Sequence, residues 1–236
     1  VEGVVAIKVR EKIGAIVEVN CETDFVTKNQ SFLDFSNTLT GLIIDNNPKD
    51  IQELLEINIG NITVENFRKN LVGKIGENMS IRRFKRFETH NHLSYYLHNN
   101  KIGVLVEFEG NDKDLGKDIA MHIAAMKPAS ISPDNVPKDL IEKERTIAKL
   151  KAEESGKPPE IIEKMISGSV YKFLKEVSLL NQNFVKNEKL SVEQILNQKN
   201  LKINKFILFI VGEELEKKQD DFAAEVAAQV AVAKNV

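Results

Sequence analysis

A single cysteine, Cys21, in 236 residues excludes an internal disulfide and any cysteine-rich zinc centre. Neither sign of charge is in excess. The 33 Lys and Arg stand against 35 Asp and Glu, a net charge of −2, so nothing advertises a nucleic-acid coat or a polybasic membrane anchor. Long hydrophobic runs are missing as well: the longest, Phe206 to Val211, falls far short of the ~20 residues that span a bilayer. The chain opens on Val with no charged leader and apolar core, so secretion is not indicated and a cytoplasmic location is expected. Neither Walker A spacing nor a GxGxxG follows any strand, and there is no Gly-x-Ser-x-Gly elbow. What is present, 42% hydrophobic and 29% charged residues, is a globular composition long enough for one large domain or two small ones.

Strand periodicity opens the chain. Val5, Ile7 and Val9 alternate with Ala6, Lys8 and Arg10, and Ile16–Val19 follows a polar turn, which predicts a β-hairpin. Phe32, Phe35, Leu39, Leu42 and Ile43 then recur at helical spacing from about Asn29 to Ile44, and Asn46-Asn47-Pro48 stops the helix. Further helices are expected over Asp50–Glu56 and Thr63–Gly73, the latter capped by Thr63, before a strand at Ser80–Glu88. The pattern then repeats: IGVLVEF (Ile102–Phe108) echoes IGAIVEV (Ile13–Val19), and the helix Asp112–Met126 buries Leu115, Ile119, His122 and Ile123. A hairpin-then-helix unit used twice implies an α+β fold of two related subdomains, each a small antiparallel three-stranded sheet covered by helices. Ser80–Glu88 supplies the third strand of the first sheet and Ile203–Val211 that of the second.

Between the second helix and its third strand lies a helical insertion. Asp139–Glu154 carries a thin stripe of Leu140, Ile141, Ile147 and Ala148, and Ser155-Gly156-Lys157-Pro158-Pro159 ends it. The following helix carries Ile162, Ile166, Val170, Phe173 and Val177, so the pair reads as a protruding antiparallel hairpin. A last helix, Asp220–Ala233, has an acidic start and an Ala-rich stripe. The expected division is 1–90 for an N-terminal core subdomain, 91–133 with 178–219 for a C-terminal one, 134–177 for the hairpin and 220–236 for the C-terminal docking helix.

Candidate chemistry is sparse. His90 and His92 fall on one side of a strand, but no third ligand has fixed spacing, so no metal is expected. His122 on an apolar helix face reads as a hydrogen-bonded core histidine, and Cys21 as a small buried thiol. IRRFKRF (Ile81–Phe87) interleaves Arg82, Arg83, Lys85 and Arg86 with Phe84 and Phe87. It reads either as a sheet strand whose basic side chains snorkel into water, or as a single-stranded RNA platform. The segment ETDFVTKN (Glu22–Asn29) also has two readings. Residue statistics make Thr23 a helix N-cap and Phe25 a core residue; the alternative leaves Phe25 exposed on a loop tip as a wedge beside Asp24.

VNCETDFVTKNQSF (Val19–Phe32) resembles the signature segment of the bacterial elongation factor Ts family, the guanine-nucleotide exchange factors of elongation factor Tu. KIGENMSIRRF, IGVLVEFEG, DIAMHIAAMKP, ESGKPPEIIEKMISG, KEVSLLNQNFV and DFAAEVAA look like family segments in family order, over essentially the whole chain. The resemblance implies an exchange factor rather than an enzyme, with no cofactor and no metal of its own. The part of the family it does not resemble is an N-terminal ubiquitin-associated-like domain. Thr23, Asp24, Phe25 and Val26 match the exchange motif: Phe25 is expected to insert between helices of the partner's nucleotide-binding domain while Asp24 lies near its Mg²⁺, so that GDP leaves. Ile75 and Gly76 in KIGEN, His98 in YLHNNKIG, and Asp221 and Phe222 at the C-terminal helix match partner-binding positions. The implied partner is elongation factor Tu, GDP-bound or nucleotide-free, in a heterodimer or a 2:2 complex, with no membrane and no direct nucleic acid. The competing reading is a non-catalytic RNA- or ribosome-associated module built on Ile81–Phe87; a hydrolase or metalloenzyme comes third.

Overall fold

The computed structural model describes residues 1–214. The expected C-terminal helix, with Asp221 and Phe222, lies outside the described residues. The described residues divide into two compact units, one of Val1–His90, Leu97–Leu105 and 207–214, the other of Asn91–Tyr96 and Val106–Phe206.

In the first unit, β1 (Glu2–Arg10) and β2 (Ile13–Cys21) form the expected antiparallel hairpin, with Glu2 opposite Cys21 and Arg10 opposite Ile13. The chain then runs through α1 (Gln30–Asn46), α2 (Ile51–Glu56), the short ladder β3 (Asn58–Ile59) and β4 (Ile62–Thr63), α3 (Val64–Ile75) and β5 (Ser80–Glu88). β5 pairs antiparallel with β2, so the sheet order is β1-β2-β5. Period-two alternation aims Val4, Ala6, Ala15, Val17 and Val19 at the α1 residues Phe32, Phe35, Leu39 and Ile43. Val5 and Ile16 point to the other face and pack with Ile7, Leu97, Ile207, Phe209 and Val211. With both faces covered, β2 is buried along almost its whole length, Glu18 and Asn20 included. The caps are local chemistry: Asn29, Asp50 and Thr63 accept the backbone N–H of Phe32, Glu53 and Asn66, and so open α1, α2 and α3.

The plan recurs later in the chain. β6 (His92–His98) and β7 (Ile102–Glu109) precede α4 (Lys113–Met126), and the second sheet has the order β10-β7-β6, with β10 at Lys202–Ile210. In both sheets the second hairpin strand is central and a strand from much later in the chain pairs with it. The echo extends to the helix ends. Asp112 caps α4 as Asn29 caps α1, and both helices stop at a left-handed residue before proline: Asn47 (φ 47°) before Pro48, Lys127 (φ 48°) before Pro128. α4 lies against the sheet at Gly116, where an added Cβ would sit 2.5 Å from Phe108 Cε1 and 2.8 Å from Ser94 Oγ. Gly116→Ala is therefore expected to lower unfolding stability by about 1–3 kcal/mol through overpacking, measured by urea titration; an unchanged midpoint would refute this close approach.

Between α4 and the short elements β8 (Asn183–Phe184), β9 (Asn187–Ser191) and α7 (Val192–Gln198) run α5 (Lys138–Glu154) and α6 (Pro159–Glu176). The two ends of this insertion are tied together: Ala129 N–H donates to Val177 O (2.7 Å) and Leu179 N–H to Ser130 O (2.8 Å). Ala148 and Ala152 meet Ile166 and Val170, with Ile141, Ile162, Met165 and Leu174 beside them, and every member of this cluster belongs to α5 or α6. The expected stripe is corrected in several places: Leu140 is not part of the cluster, and Val177 lies just past the end of α6. Ile147 is 46% exposed and Leu174 replaces Phe173 in the seam. The small residues Ala148 and Ala152 bring the helices together, and a side chain one position away points about 100° aside.

Candidate functional site

β2 ends at Cys21 and the chain turns outward before α1. Thr23 is not a helix cap, and Phe25 is not a core residue. Asn29 caps α1, and Phe25 is 79% exposed, more than any other large apolar side chain among the described residues. Thr23 is occupied elsewhere: its N–H donates to Glu77 Oε2 (3.1 Å) and its hydroxyl to Glu77 Oε1 (2.5 Å). The Cys21 thiol donates to Thr23 O (3.3 Å), and the Asn78 N–H to Glu22 Oε1 (3.2 Å). Burial, with the Glu77 carboxylate adding to it, pushes the Cys21 thiol up to about 11, so it stays protonated as a donor.

On the far side of Phe25, Val26 and Thr27 turn inward. Val26 joins the α1 core, and the Thr27 hydroxyl donates to Asp24 O (2.6 Å). A single 3₁₀ turn, Val26–Lys28, follows, closed by the Asn29 N–H on Val26 O (2.9 Å). Phe25 itself has helical dihedrals, φ −62° and ψ −41°. Asp24 and Phe25 are thus exposed between the half-buried Thr23 and the buried Val26, in a loop fastened before and after them.

Of the other expected partner residues, Ile75, Gly76 and His98 fall in the same unit. Gly76 ends α3 in the left-handed region (φ 86°) with nothing within 4 Å of where a Cβ would be; Ile75 is half-buried against the α1 core. The segment after them is held by Met79, 1% exposed, whose carbonyl accepts from Arg68 Nη1 (2.8 Å). Arg68 also pairs with Glu65 at 2.6 Å, which holds the Glu65 carboxyl below its ordinary value. His98 opens a two-residue turn in which Asn99 (φ 51°) and Asn100 (φ 57°) are both left-handed, the type I′ geometry that Asn tolerates. That turn is fastened to β1: Asn100 O accepts the Val5 N–H (2.8 Å), and Lys101 Nζ reaches Glu2 Oε2 (2.6 Å) and Gly3 O (3.0 Å). Since Glu2 pairs with Cys21, His98 lies toward the end of the sheet from which the Phe25 loop emerges.

The basic segment is a sheet strand with Lys85 exposed, as one sequence reading expects, but its arginines do not face water. Its register with β2 shifts by one residue at Glu18, so that Glu18 faces Arg83 and Val19 faces Ile81. Arg82 is the extra residue of a β-bulge, which brings two consecutive side chains to one acceptor. Arg82 Nη1 (2.9 Å) and Arg83 Nε (2.6 Å) both bond Glu18 Oε2, while Glu18 Oε1 accepts from Asn20 Nδ2 (3.0 Å) and the Gly212 N–H (2.9 Å). Arg83 also covers the Phe209 ring (4.2 Å) and donates to Ile210 O, and Arg86 donates to Ile44 O. These three side chains are 13%, 22% and 13% exposed, neither snorkelling into water nor open to phosphates.

His122 is fully buried, as a core histidine. Nδ1 accepts the Val185 N–H (3.1 Å), which leaves the ring proton on Nε2 to donate to Gln182 Oε1 (2.9 Å). Burial lowers its pKa from 6.5. Neutral in both states above that value, the ring takes a proton more readily when unfolded, so the stability it permits is lost as pH falls from about 6.5 through the lower folded value. An NMR titration of the ring is expected to have its midpoint below 6.5, and thermal stability to decline over the same interval; a midpoint above 6.5 would contradict the assignment. Among the described residues, no three His, Cys, Asp or Glu side chains are gathered to hold a metal, and no helix is long and apolar enough to cross a membrane.

This is an α+β protein with a duplicated three-stranded plan that presents an exposed aromatic on a fastened loop. Its relatives make the class specific. The family model described as "Elongation factor TS" matches residues 22–213. Elongation factor Ts of Janthinobacterium sp. (strain Marseille) is 61% identical over 233 residues, covering 99% of this chain and 80% of that protein. Those of Paraburkholderia phytofirmans (61%) and Burkholderia thailandensis (60%) match over the same shares. The chain belongs to the elongation factor Ts family, and its role lies in translation elongation.

Of the residues that fasten the loop, Glu77 was not singled out from sequence. It lies 54 positions from Thr23, and no local spacing links the two.

Proposed function

We propose that this protein is the guanine-nucleotide exchange factor of elongation factor Tu and promotes GDP release by docking the Phe25 loop onto the partner's nucleotide-binding domain. The observation that carries the reading is Phe25, 79% exposed on a loop whose neighbours are bonded down. Leaving such a ring in water forgoes about 1.5–3 kcal/mol that burial in a partner recovers, and aromatic anchors of this kind dominate interface energetics. Phe25 enters between helices of the partner, and Asp24 approaches the partner's Mg²⁺ region with like charge to the phosphates. The Mg²⁺ ligands and phosphate loop shift, and GDP leaves. Val26 and Thr23 hold the wedge, while Ile75, Gly76 and His98, with Asp221 and Phe222 further on, add contacts. No covalent bond changes. Linkage requires that whatever factor this protein takes off GDP affinity, GDP takes off its affinity for the partner, so fresh nucleotide ejects it. The complex is a heterodimer or a 2:2 assembly in the cytoplasm.

Stopped-flow release of a fluorescent GDP from elongation factor Tu tests this. Micromolar amounts of the chain are expected to accelerate release well above the spontaneous rate, and excess GDP to weaken the complex. Unchanged release, together with no capture of nucleotide-free elongation factor Tu, would sink the proposal.

A further inference from the structure

We propose that Glu77 is a positioning residue for Phe25: through Thr23 it holds the docking loop in its binding shape before any partner arrives. This rests on the docking reading above and deepens it. Both oxygens of one carboxylate are committed to a single residue, Thr23, through its N–H (3.1 Å) and its hydroxyl (2.5 Å). Glu22 reciprocates on the Asn78 N–H (3.2 Å), so three bonds join residues 22–23 to residues 77–78. Each side of this clamp is anchored in the core. Met79 is 1% exposed behind Glu77, with its carbonyl held by Arg68, and Val26 is 4% exposed behind Phe25. Phe25 sits two residues from the clamp and one from the core anchor, so its backbone has little freedom left. A loop that must be ordered on docking loses binding energy to that ordering, and one ordered beforehand does not. Glu77 follows Gly76, whose left-handed conformation turns the chain out of α3 and towards the loop. The KIGEN segment therefore acts at the wedge through Glu77, apart from any contact its Ile75 and Gly76 make.

The test uses the full chain and elongation factor Tu loaded with fluorescent GDP. Glu77→Ala is expected to slow catalysed release about 10-fold in the native background, and by less than about twofold when Phe25 is already Ala, because the two act through one wedge. Glu77→Gln keeps one acceptor oxygen and is expected to fall between. Amide hydrogen exchange supplies a readout independent of the partner: in Glu77→Ala the Thr23 N–H is expected to exchange at least about 10-fold faster while β2 and α1 keep their protection. Equal slowing in both backgrounds, unchanged release, or an unchanged Thr23 amide would overturn the positioning role. If Phe25→Ala alone leaves release at the native rate, the docking reading itself falls and takes this role with it, a result distinct from each of the others.

Discussion

Phe25→Ala is expected to slow catalysed GDP release by about 30-fold or more, the loss of a central aromatic hot spot worth at least about 2 kcal/mol. The same substitution is expected to change unfolding stability by less than about 0.5 kcal/mol, because a ring that is 79% exposed contributes little to its own fold. This separation is the point of the experiment. A buried Phe would lose about 3–5 kcal/mol of stability on truncation and confound any functional effect. Here a slowed reaction with an unshifted urea midpoint isolates docking. Asp24→Ala, at the exposed neighbouring position, adds a second arm. If Phe25→Ala and Asp24→Ala together leave release at the native rate, the wedge mechanism is wrong.

The second large effect concerns Glu18. Its carboxylate is fully buried and meets two guanidinium groups, the Asn20 amide and the Gly212 N–H. Glu18→Ala removes the acceptor for all four, leaving Arg82, 13% exposed, with the exposed Glu214 at 3.7 Å as its remaining counter-charge and Arg83, 22% exposed, with no other carboxylate in ion-pair range among the described residues. The expected loss is about 3–5 kcal/mol, a large part of the 5–15 kcal/mol that holds a typical domain folded. Much of that loss comes from abandoned charge rather than from the attraction itself. The triple replacement of Glu18, Arg82 and Arg83 by Met is therefore expected to recover stability relative to Glu18→Ala, because no buried ion is stranded. Urea denaturation of the three proteins decides it. A Glu18→Ala midpoint close to the native one would mean that water reaches the arginines and the network is slack.

Two short apolar runs and a polar turn sufficed for each hairpin, and Phe32, Phe35, Leu39 and Ile43 sufficed for α1, because a strand or helix face is written in residues two or three to four apart. The Asn29, Asp50 and Thr63 caps obey the same local logic. Even the long-range partners β5 and β10 were legible, since a two-stranded hairpin exposes too much backbone to stand alone and each sheet had one strand to spare. The thin α5 stripe misled at Ile147, where a larger apolar residue lost its place to Ala148, since the approach of a second helix selects size as well as hydrophobicity.

The motif around Phe25 shows where local reasoning stops. Residue types alone favoured Thr23 as a cap and Phe25 inside, and the family resemblance favoured the reverse. The ring points outward because Val26 and Thr27 take the inward positions and Glu77, from beyond α3, claims Thr23. The arginines of β5 followed the same rule: a one-residue bulge turned a basic surface strand into the buried counter-charge of Glu18.

What the amino-acid order determined by itself, then, was the longer helices and strands, their duplicated plan and the family, all carried by patterns within a few residues, while the short β3–β4 and β8–β9 ladders and α7 went unread. Which side chains face water, which carboxylate meets which donor and how firmly the Phe25 loop is held were decided only in three dimensions. Those outcomes depend on groups tens of residues apart competing for the same bonds and the same buried space, and no spacing along the chain encodes the winner.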